Sequence, residues 1–357
     1  MGPLASREFQ RILLIKPSAA GDVVHTLPVL VKLRARYPAA RIDWLITPEN
    51  AELVRCHPAL SGVVLFDRRR FARFGRDWVA TKGMLNLLRT IRRARYELVI
   101  DMHGQLRSAL FVMASAAPVR VGFARTREGA WLSYSHHIPL PTMDAHAVDR
   151  YLWLGPLLGF DDHSPDFTLH LPAEAESGVT ELLSRHGVSE RPYALLVPGT
   201  VWETKHWRVA GFAEVARYLL GRGLAVVLAG SPRDRQRCAE VAEACEGVCD
   251  LSGQTSLAGL AALIHRATTC VTNDSGSMHL AVALGKPVVS VFGPTSPLRT
   301  GPYGRPEVVV QAPLDCSPCY LRKLSRCPHD HACMREVTSA MVIERLRTAA
   351  PGLFMVP

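Results

Sequence analysis

The sequence contains no apolar run of the roughly 18 to 20 residues that a membrane-spanning helix needs. Its first ten residues also lack the apolar stretch of a secretory signal, so we expect a cytosolic protein. The residues after the first strand-like segment fit neither G-x-G-x-x-G nor a Walker loop. This absence argues against a nicotinamide-linked dehydrogenase and against a nucleoside triphosphatase.

Acidic residues are the minority among the charged ones, with 32 Asp and Glu against 42 Lys and Arg. The excess is concentrated in residues 61–130, which hold 14 basic and five acidic side chains. Such a window suits nucleic acid, acidic lipid headgroups or a phosphorylated substrate, and it also suits a plain solvated surface. Composition does not choose among these alternatives.

The hydrophobic share of 48% and the charged share of 21% are those of a globular protein, and 357 residues predict two domains. Strand-like runs alternate with helical patterns, and the alternation restarts after residues 161–176. We predict the α/β class with two Rossmann-like, doubly wound domains, 1–168 and 169–338, and a C-terminal helix and tail at 339–357. The predicted strands are 11–16, 41–47, 62–66, 98–101, 119–122, 193–197, 224–229, 269–272 and 288–292.

Such sheets bind ligands at the carboxyl ends of their strands, and polar residues follow several of the predicted strands. In KPSAAGD, small residues allow a substrate to approach Ser18 closely, and Gly21 permits unusual backbone dihedrals. Asp22 begins a helix, where a capping role is an equally good interpretation. On a later loop, Thr200 and Lys205 supply a hydroxyl and an ammonium that suit a phosphate.

The segment TNDSGSMH places a Ser/Gly turn between a strand and a helix. The backbone N–H groups of Ser275 and Gly276 then form an anion site at a helix N-terminus. Asp274 braces this turn or meets a sugar hydroxyl, and His279 faces either the cleft or the core. Thr255 lies in a similar turn, although such turns occur in any α/β protein.

Several of these motifs, in collinear order over residues 11–304, resemble the lipopolysaccharide ADP-heptose heptosyltransferases. They are KPSAAGDVVHTLPVL at 16–30, DMHGQLRS at 101–108, HAVDR at 146–150, Thr200 with KHW at 205–207, NDSGSMH at 273–279 and FGPT at 292–295. The resemblance implies the GT-B fold, in which two Rossmann-like domains face each other across a cleft. It also implies inverting transfer of heptose from ADP-heptose to Kdo-linked lipid A, without a catalytic metal, at the inner face of the cytoplasmic membrane.

The resemblance further implies roles for individual residues. Asp22 matches the general base. The donor contacts are Ser18, Gly21, Thr200, Lys205, Thr255, Asp274, Ser275, Gly276 and His279. The acceptor contacts, of which the arginines are expected after the strands of the first domain, are Lys16, Arg68, Arg69, Arg70, Arg73, Arg107 and Arg120.

Four cysteines at Cys316, Cys319, Cys327 and Cys333 fall within 18 residues. This density favours a structural Zn²⁺ or iron site over chance, with disulfides or free thiols as the alternative. The cluster departs from the best-known heptosyltransferases. Two other functions stay open: a related transferase with a different nucleotide sugar, and a basic, zinc-containing nucleic-acid-binding protein. We expect no nucleic-acid partner. The sequence reveals neither the acceptor position nor the oligomeric state.

Overall fold

The structure is a computed structural model that describes residues 4–126, 128–161, 163–188 and 191–353. The chain divides into two compact units, Met1–His170 and Leu171–Pro357. Within the described ranges, no helix is both long and apolar enough to cross a membrane.

The first unit contains one parallel sheet of six strands in the order β3-β2-β1-β4-β5-β6. The strands are β1 Arg11–Ile15, β2 Arg41–Ile46, β3 Gly62–Leu65, β4 Leu98–Asp101, β5 Val119–Phe123 and β6 His136–Ile138. The helices are α1 Ala20–Arg36, α2 Pro48–Ala51, α3 Arg68–Phe71, α4 Trp78–Arg93, α5 Leu106–Ser115, α6 Ala147–Leu152 and α7 Gly155–Leu158.

The second unit repeats this arrangement with the order β12-β11-β10-β7-β8-β9. Its strands are β7 Tyr193–Val197, β8 Ala225–Leu228, β9 Val248–Asp250, β10 Thr269–Asn273, β11 Val288–Phe292 and β12 Val309–Gln311. Its helices are α8 Ala173–Arg185, α9 Val209–Leu220, α10 Arg235–Ala244, α11 Leu257–Arg266, α12 Gly276–Ala283, α13 Pro297–Thr300, α14 Ala332–Arg335 and α15 Ser339–Ala349.

The central strands are buried on both faces, which explains why they read as continuous apolar runs. All five residues of β7 and four of the five residues of β1 are buried. Each unit has its own apolar core between sheet and helices, with Phe111 in the first and Trp207 in the second among the largest fully buried side chains. Burying one such side chain contributes about 1.5–3 kcal/mol.

Both sheets share one topological property that places the functional loops. In each, the chain starts in the middle of the sheet and winds first to one edge and then to the other, so the order reverses between β1 and β4 and between β7 and β10. The loops that leave neighbouring strands at this point diverge to opposite faces and open a crevice. The residues that follow these four strands are therefore the candidate ligand-binding residues of the two sheets.

Candidate functional site

Lys16 follows β1 directly and is almost fully buried. Its Nζ donates to the Tyr151 hydroxyl at 2.7 Å and to the Met102 carbonyl at 3.1 Å, and it lies 3.5 Å from a carboxylate oxygen of Asp22. Burial lowers the pKa of Lys16, but the negative charge of Asp22 and the bond to Tyr151 outweigh burial and raise the pKa above its ordinary value. The ammonium is therefore permanently charged.

Asp22 is the third residue of α1 and is held from three sides. One oxygen accepts the Ala19 N–H at 3.3 Å, the other accepts the Tyr151 hydroxyl at 3.4 Å, and Lys16 supplies the positive charge beneath. The Asp22 side chain nevertheless stays 43% exposed. Asp22 caps its helix, which is one of the two roles predicted from the sequence. It also presents a fixed carboxylate of the kind that can accept a proton.

Tyr151, on α6, is a central residue of this site that the motifs did not single out. It directly follows the HAVDR motif, which was the available signal. Burial and the Asp22 charge raise the pKa of Tyr151, although Lys16 opposes them. The phenol thus stays neutral and links the lysine to the carboxylate as acceptor and donor.

A carboxylate that is buried, unlike that of Asp22, fixes the loop after β4. Asp101 is fully buried and accepts the Tyr134 hydroxyl at 2.7 Å and the backbone N–H groups of His103 and Gly104 at 2.8 and 3.2 Å. Burial and the nearby charge of Lys16 lower the pKa of His103, so its imidazole is neutral at pH 7. The DMHGQLRS motif therefore builds the wall beside Lys16.

Ser18 and Gly21 are the small residues of the first loop that were predicted as donor contacts. Ser18 lies partly buried just before α1. Gly21 lies in the first turn of α1 and is not among the glycines with positive φ, so the prediction of unusual dihedrals there is wrong. Its small size is what the buried first turn uses.

In the second unit, Asp274 joins loops that follow neighbouring strands. Its carboxylate accepts Lys205 Nζ at 2.6 Å and the Thr295 hydroxyl at 2.5 Å, and its backbone carbonyl accepts the Thr200 hydroxyl at 3.2 Å. Asp274 therefore braces the turn, as predicted, and gathers the predicted phosphate-binding pair Thr200 and Lys205 into one cluster. Lys205 is also 4.5 Å from the centre of the Trp202 ring.

The loop that carries Lys205 is anchored from below. The Asn273 amide donates to the Pro198 carbonyl at 2.7 Å and accepts the Trp207 N–H at 3.1 Å. Trp207 is fully buried and packs in the core of the second unit. These bonds fix both ends of the loop while its middle carries the polar side chains.

Helix α12 begins beside this cluster. Ser275 occupies the position before its first turn, with Gly276 following, and the Ser275 hydroxyl is buried without a hydrogen-bond partner among the described residues. Backbone N–H groups and a hydroxyl at a helix N-terminus suit an anion. His279 is buried one turn further along. Thr255 is not part of this group, because it lines a separate cleft of about 290 Å³ between α8 and the start of α11.

The predicted acceptor-binding arginines separate into exposed and internally bonded ones. Arg68, Arg69, Arg70 and Arg73 are all exposed, on α3 or just after it, and Arg107 is exposed on α5. Arg120 was expected after a strand, and that placement is wrong. It is the second residue of β5, and its guanidinium donates to the Ser133 and Ala117 carbonyls. A contact of Arg120 with an acceptor stays a prediction.

The four cysteines of the C-terminal segment are free thiols. Burial, together with the charges of Cys319, Cys316 and Cys327, raises the pKa of Cys333 to about 11. In the part of the chain that is described, no group of three or more His, Cys, Asp or Glu is arranged to hold a metal ion. Metal binding there stays a prediction.

Comparison with known proteins identifies the family of the chain. A family model described as glycosyltransferase family 9 (heptosyltransferase) matches residues 84–329. Lipopolysaccharide heptosyltransferase 1 of Pseudomonas aeruginosa is 31% identical over 326 residues, 87% of this chain and 86% of the relative.

Two solved structures share the fold, which confirms the predicted GT-B fold class. A family 9 glycosyltransferase from Veillonella parvula has a TM-score of 0.81 at 23% identity, covering 97% of this chain and 98% of the other. The E. coli heptosyltransferase WaaC with ADP has a TM-score of 0.76 at 26% identity, covering 95% of this chain and 100% of the other. The chain therefore belongs to glycosyltransferase family 9, the heptosyltransferase family, and is a glycosyltransferase.

Proposed function

We propose that this protein is a lipopolysaccharide heptosyltransferase that transfers heptose from ADP-heptose to the Kdo-containing inner core of lipid A. Its membership in family 9 and its 31% identity with a heptosyltransferase over most of its length support the donor and the acceptor class. The single observation that carries the chemistry is the half-exposed Asp22 carboxylate, fixed by Lys16 and Tyr151 at the switch point of the first sheet.

In this proposal Asp22 is the general base. It takes the proton of an acceptor hydroxyl while that oxygen forms a bond to the anomeric carbon of heptose. The bond from that carbon to the diphosphate oxygen breaks, and ADP leaves with the electron pair. Attack from the face opposite ADP inverts the anomeric centre. Lys16 places a fixed positive charge 3.5 Å from the Asp22 carboxylate, and Tyr151 holds the orientation of that carboxylate.

The second unit binds the nucleotide and stabilises the departing charge. Lys205, the Thr200 hydroxyl and the N–H groups at the start of α12 all lie around Asp274. A diphosphate that competes with Asp274 for Lys205 forms an ion pair with the Lys205 ammonium. The Ser275 hydroxyl, which has no hydrogen-bond partner among the described residues, supplies a further donor. Removing one such donor costs roughly 10²–10³ in rate.

The acceptor carries carboxylates and phosphates, which suit guanidinium groups. The exposed residues Arg68, Arg69, Arg70, Arg73 and Arg107 are therefore proposed as acceptor contacts, at the inner face of the cytoplasmic membrane. Reversing Arg69 and Arg70 to Glu is expected to raise the acceptor KM and to leave ADP-heptose binding unchanged. An unchanged acceptor KM would contradict this assignment.

We also propose that the four-cysteine cluster holds a structural Zn²⁺ or iron ion rather than a catalytic one. The density of four cysteines within 18 residues supports this proposal, because thiolates in this number suit a tetrahedral metal site. The ion would tie together the segment that packs against the Lys205 loop. Elemental analysis tests it: about one equivalent of metal per chain, lost in Cys319→Ser but not in Cys56→Ser, is expected, and a metal-free wild type contradicts it.

The decisive experiment for the transfer reaction replaces Asp22 by Asn, which keeps the shape but cannot take a proton. Product formation from ADP-heptose, followed by mass spectrometry, is expected to fall by about 10²–10⁴ with the Kd of ADP nearly unchanged. Asp144→Asn, an exposed aspartate of the same unit, is the matched control. Full turnover in Asp22→Asn removes Asp22 from the mechanism, and a panel of UDP- and GDP-sugars tests the donor.

A further inference from the structure

Helices α4 and α5 and the turn Ala130–Ser133 cover one side of the first sheet. Met84 and Ile91 of α4, Phe111 and Val112 of α5 and Ala130 of the turn all belong to the same buried core. The helices also pack against each other, and α5 packs against the turn. Their opposite faces therefore form one continuous outer surface of this unit, which we call the α4–α5 face.

The part of this face contributed by α4 mixes apolar and basic side chains. Trp78, Lys82, Leu85 and Arg89 follow one another at spacings of four and three residues, so they form one stripe along the helix. All four are exposed, and Trp78 is 76% exposed. A large indole in this position is unusual, because tryptophan normally buries most of its surface.

The part contributed by α5 and the turn is apolar. Leu106, Leu110 and Met113 form a second exposed stripe, and they line an open cleft of about 630 Å³. Trp131 and Leu132 of the adjacent turn are exposed as well. Contiguous exposed apolar side chains of this number mark an interaction surface rather than an ordinary protein exterior.

Strong positive charge borders these apolar side chains. Residues 68–95 contain ten Lys and Arg and a single acidic residue, Asp77, which caps α4. All ten basic side chains are exposed, and none takes part in an ion pair with another described residue. The surface thus requires a partner that is both anionic and apolar.

We propose that the α4–α5 face docks this protein on an anionic phospholipid bilayer. Trp78, Leu85, Leu106 and Leu110 enter the interfacial layer, where amphipathic indole rings are favoured, and the basic side chains meet lipid phosphates. A nucleic acid would use the charge but leave the apolar stripes in water. The choice of a bilayer surface rests on the proposed function, since the acceptor of that reaction is a lipid.

Flotation with vesicles of phosphatidylethanolamine and phosphatidylglycerol tests the proposal. The wild type is expected to float with these vesicles, and Trp78→Ser combined with Leu85→Ser weakens binding by roughly tenfold or more. Leu298→Ser, at an exposed leucine of the second unit, is the matched control and leaves binding unchanged. Vesicle binding by the double variant that equals wild-type binding overturns the proposal.

Two charge-reversal double variants test the contribution of the basic side chains to vesicle binding. Lys82→Glu with Arg89→Glu is expected to reduce binding by roughly tenfold or more, because each basic side chain near the membrane contributes separately. Arg185→Glu with Arg191→Glu makes the same change in net charge on the second unit and leaves binding nearly unchanged. If both pairs weaken binding equally, net charge alone explains it, and the assigned face is wrong. The proposal is also overturned if the protein binds duplex DNA with the same affinity as vesicles and Trp78→Ser leaves that DNA affinity unchanged.

Two further measurements separate this inference from the proposed reaction. Brominated lipids are expected to quench wild-type tryptophan emission. Trp78→Phe, which keeps an aromatic ring, lowers that quenching while vesicle binding persists, and Trp131 of the same face accounts for the remainder. Undiminished quenching in Trp78→Phe overturns the placement of Trp78. Transfer to a water-soluble acceptor without acyl chains is unchanged in Trp78→Ser with Leu85→Ser. If the wild type binds vesicles but transfers no heptose, the proposed reaction is refuted and the docking proposal is retained.

Discussion

A buried lysine beneath a half-exposed aspartate is the most informative arrangement at the scale of single residues. Lys16 cannot leave its site, because it is nearly fully buried and bonded to Tyr151 and Met102. The positive charge is therefore fixed relative to Asp22, and the carboxylate needs no reorganisation for the proton transfer proposed above. The cost of burying the ammonium is offset by these partners.

Replacing Tyr151 by Phe tests how far that fixed geometry matters. The variant loses the hydroxyl that joins Lys16 to Asp22, so kcat is expected to fall by about tenfold to a hundredfold with the donor KM unchanged. Steady-state kinetics over a range of pH measure this change. Tyr193→Phe is the control: it also loses a buried hydrogen bond, to the Leu263 carbonyl, and about 1 kcal/mol of stability, but keeps kcat. Equal effects of the two variants contradict a positioning role.

Cys270 makes stability depend on alkaline pH. Burial raises its pKa from 9.0 to about 12, so the folded protein keeps the thiol proton that the unfolded chain releases. The contribution to stability is complete below pH 9 and is lost progressively as the pH rises from 9 towards 12.

Urea unfolding of wild type and Cys270→Ala at pH 8 and pH 10 measures this contribution. Between these two pH values the wild type is expected to lose about 1.4 kcal/mol more than the variant. The cavity left by the substitution lowers stability equally at both pH values and cancels in the comparison. Identical pH dependence in the two proteins excludes the effect.

The polar residues that follow strands could be predicted from the sequence. A residue that reaches the candidate site from a distant helix could not. Asp22, Thr200, Lys205 and Asp274 stand just beyond strands, where the sheet order fixes their position. Tyr151 reaches Lys16 across 135 positions from a helix, and no local pattern encodes such a contact.

At the scale of elements, the segment that precedes α14 packs against the loop of Lys205. The Thr204 hydroxyl donates to the Leu321 carbonyl at 2.5 Å, the Leu324 N–H donates to Glu203 at 3.1 Å, and the His331 ring lies 2.7 Å from the Thr204 carbonyl oxygen. The cysteine-rich segment is thus a structural support for the proposed phosphate-binding loop.

Thr204→Val removes one of these contacts without changing the size of the side chain. The loop loses one hydrogen bond of about 0.5–1.5 kcal/mol, so the donor KM is expected to rise by roughly twofold to tenfold with a smaller change in kcat. Thr180→Val is the control with unchanged KM. The Thr180 hydroxyl donates to the Glu176 carbonyl and accepts from Arg266, so this variant also loses hydrogen bonds but lies away from the Lys205 loop. An unaltered donor KM in Thr204→Val shows that the segment does not support the loop.

The strands that are missing from the sequence-based prediction are all edge strands. The strands β6, β9 and β12 have three residues each, and each lies at or beside charged or polar side chains. Edge strands pack on one side only and need no long apolar run, so periodicity does not reveal them. The buried central strands, in contrast, were predicted to within two residues.

At the scale of the whole molecule, the two units divide the proposed chemistry. The base lies in the first unit, and the nucleotide contacts lie in the second. Hydrogen exchange of backbone amides in the presence of ADP is expected to slow in peptides covering residues 198–207 and 273–279. The same protection is expected in Asp22→Asn. Slowed exchange confined to residues 16–22 would reverse the assignment of the two units.

The shared strand order has an evolutionary consequence. Because the switch point of each sheet depends on the winding of the strands and not on what the loops contain, loop chemistry can diverge in one half without disturbing the other half or either core. Under the proposed division of roles, donor preference and acceptor preference can therefore change independently in evolution. Chimaeras that exchange one half between related transferases would inherit each preference from the half that supplies it.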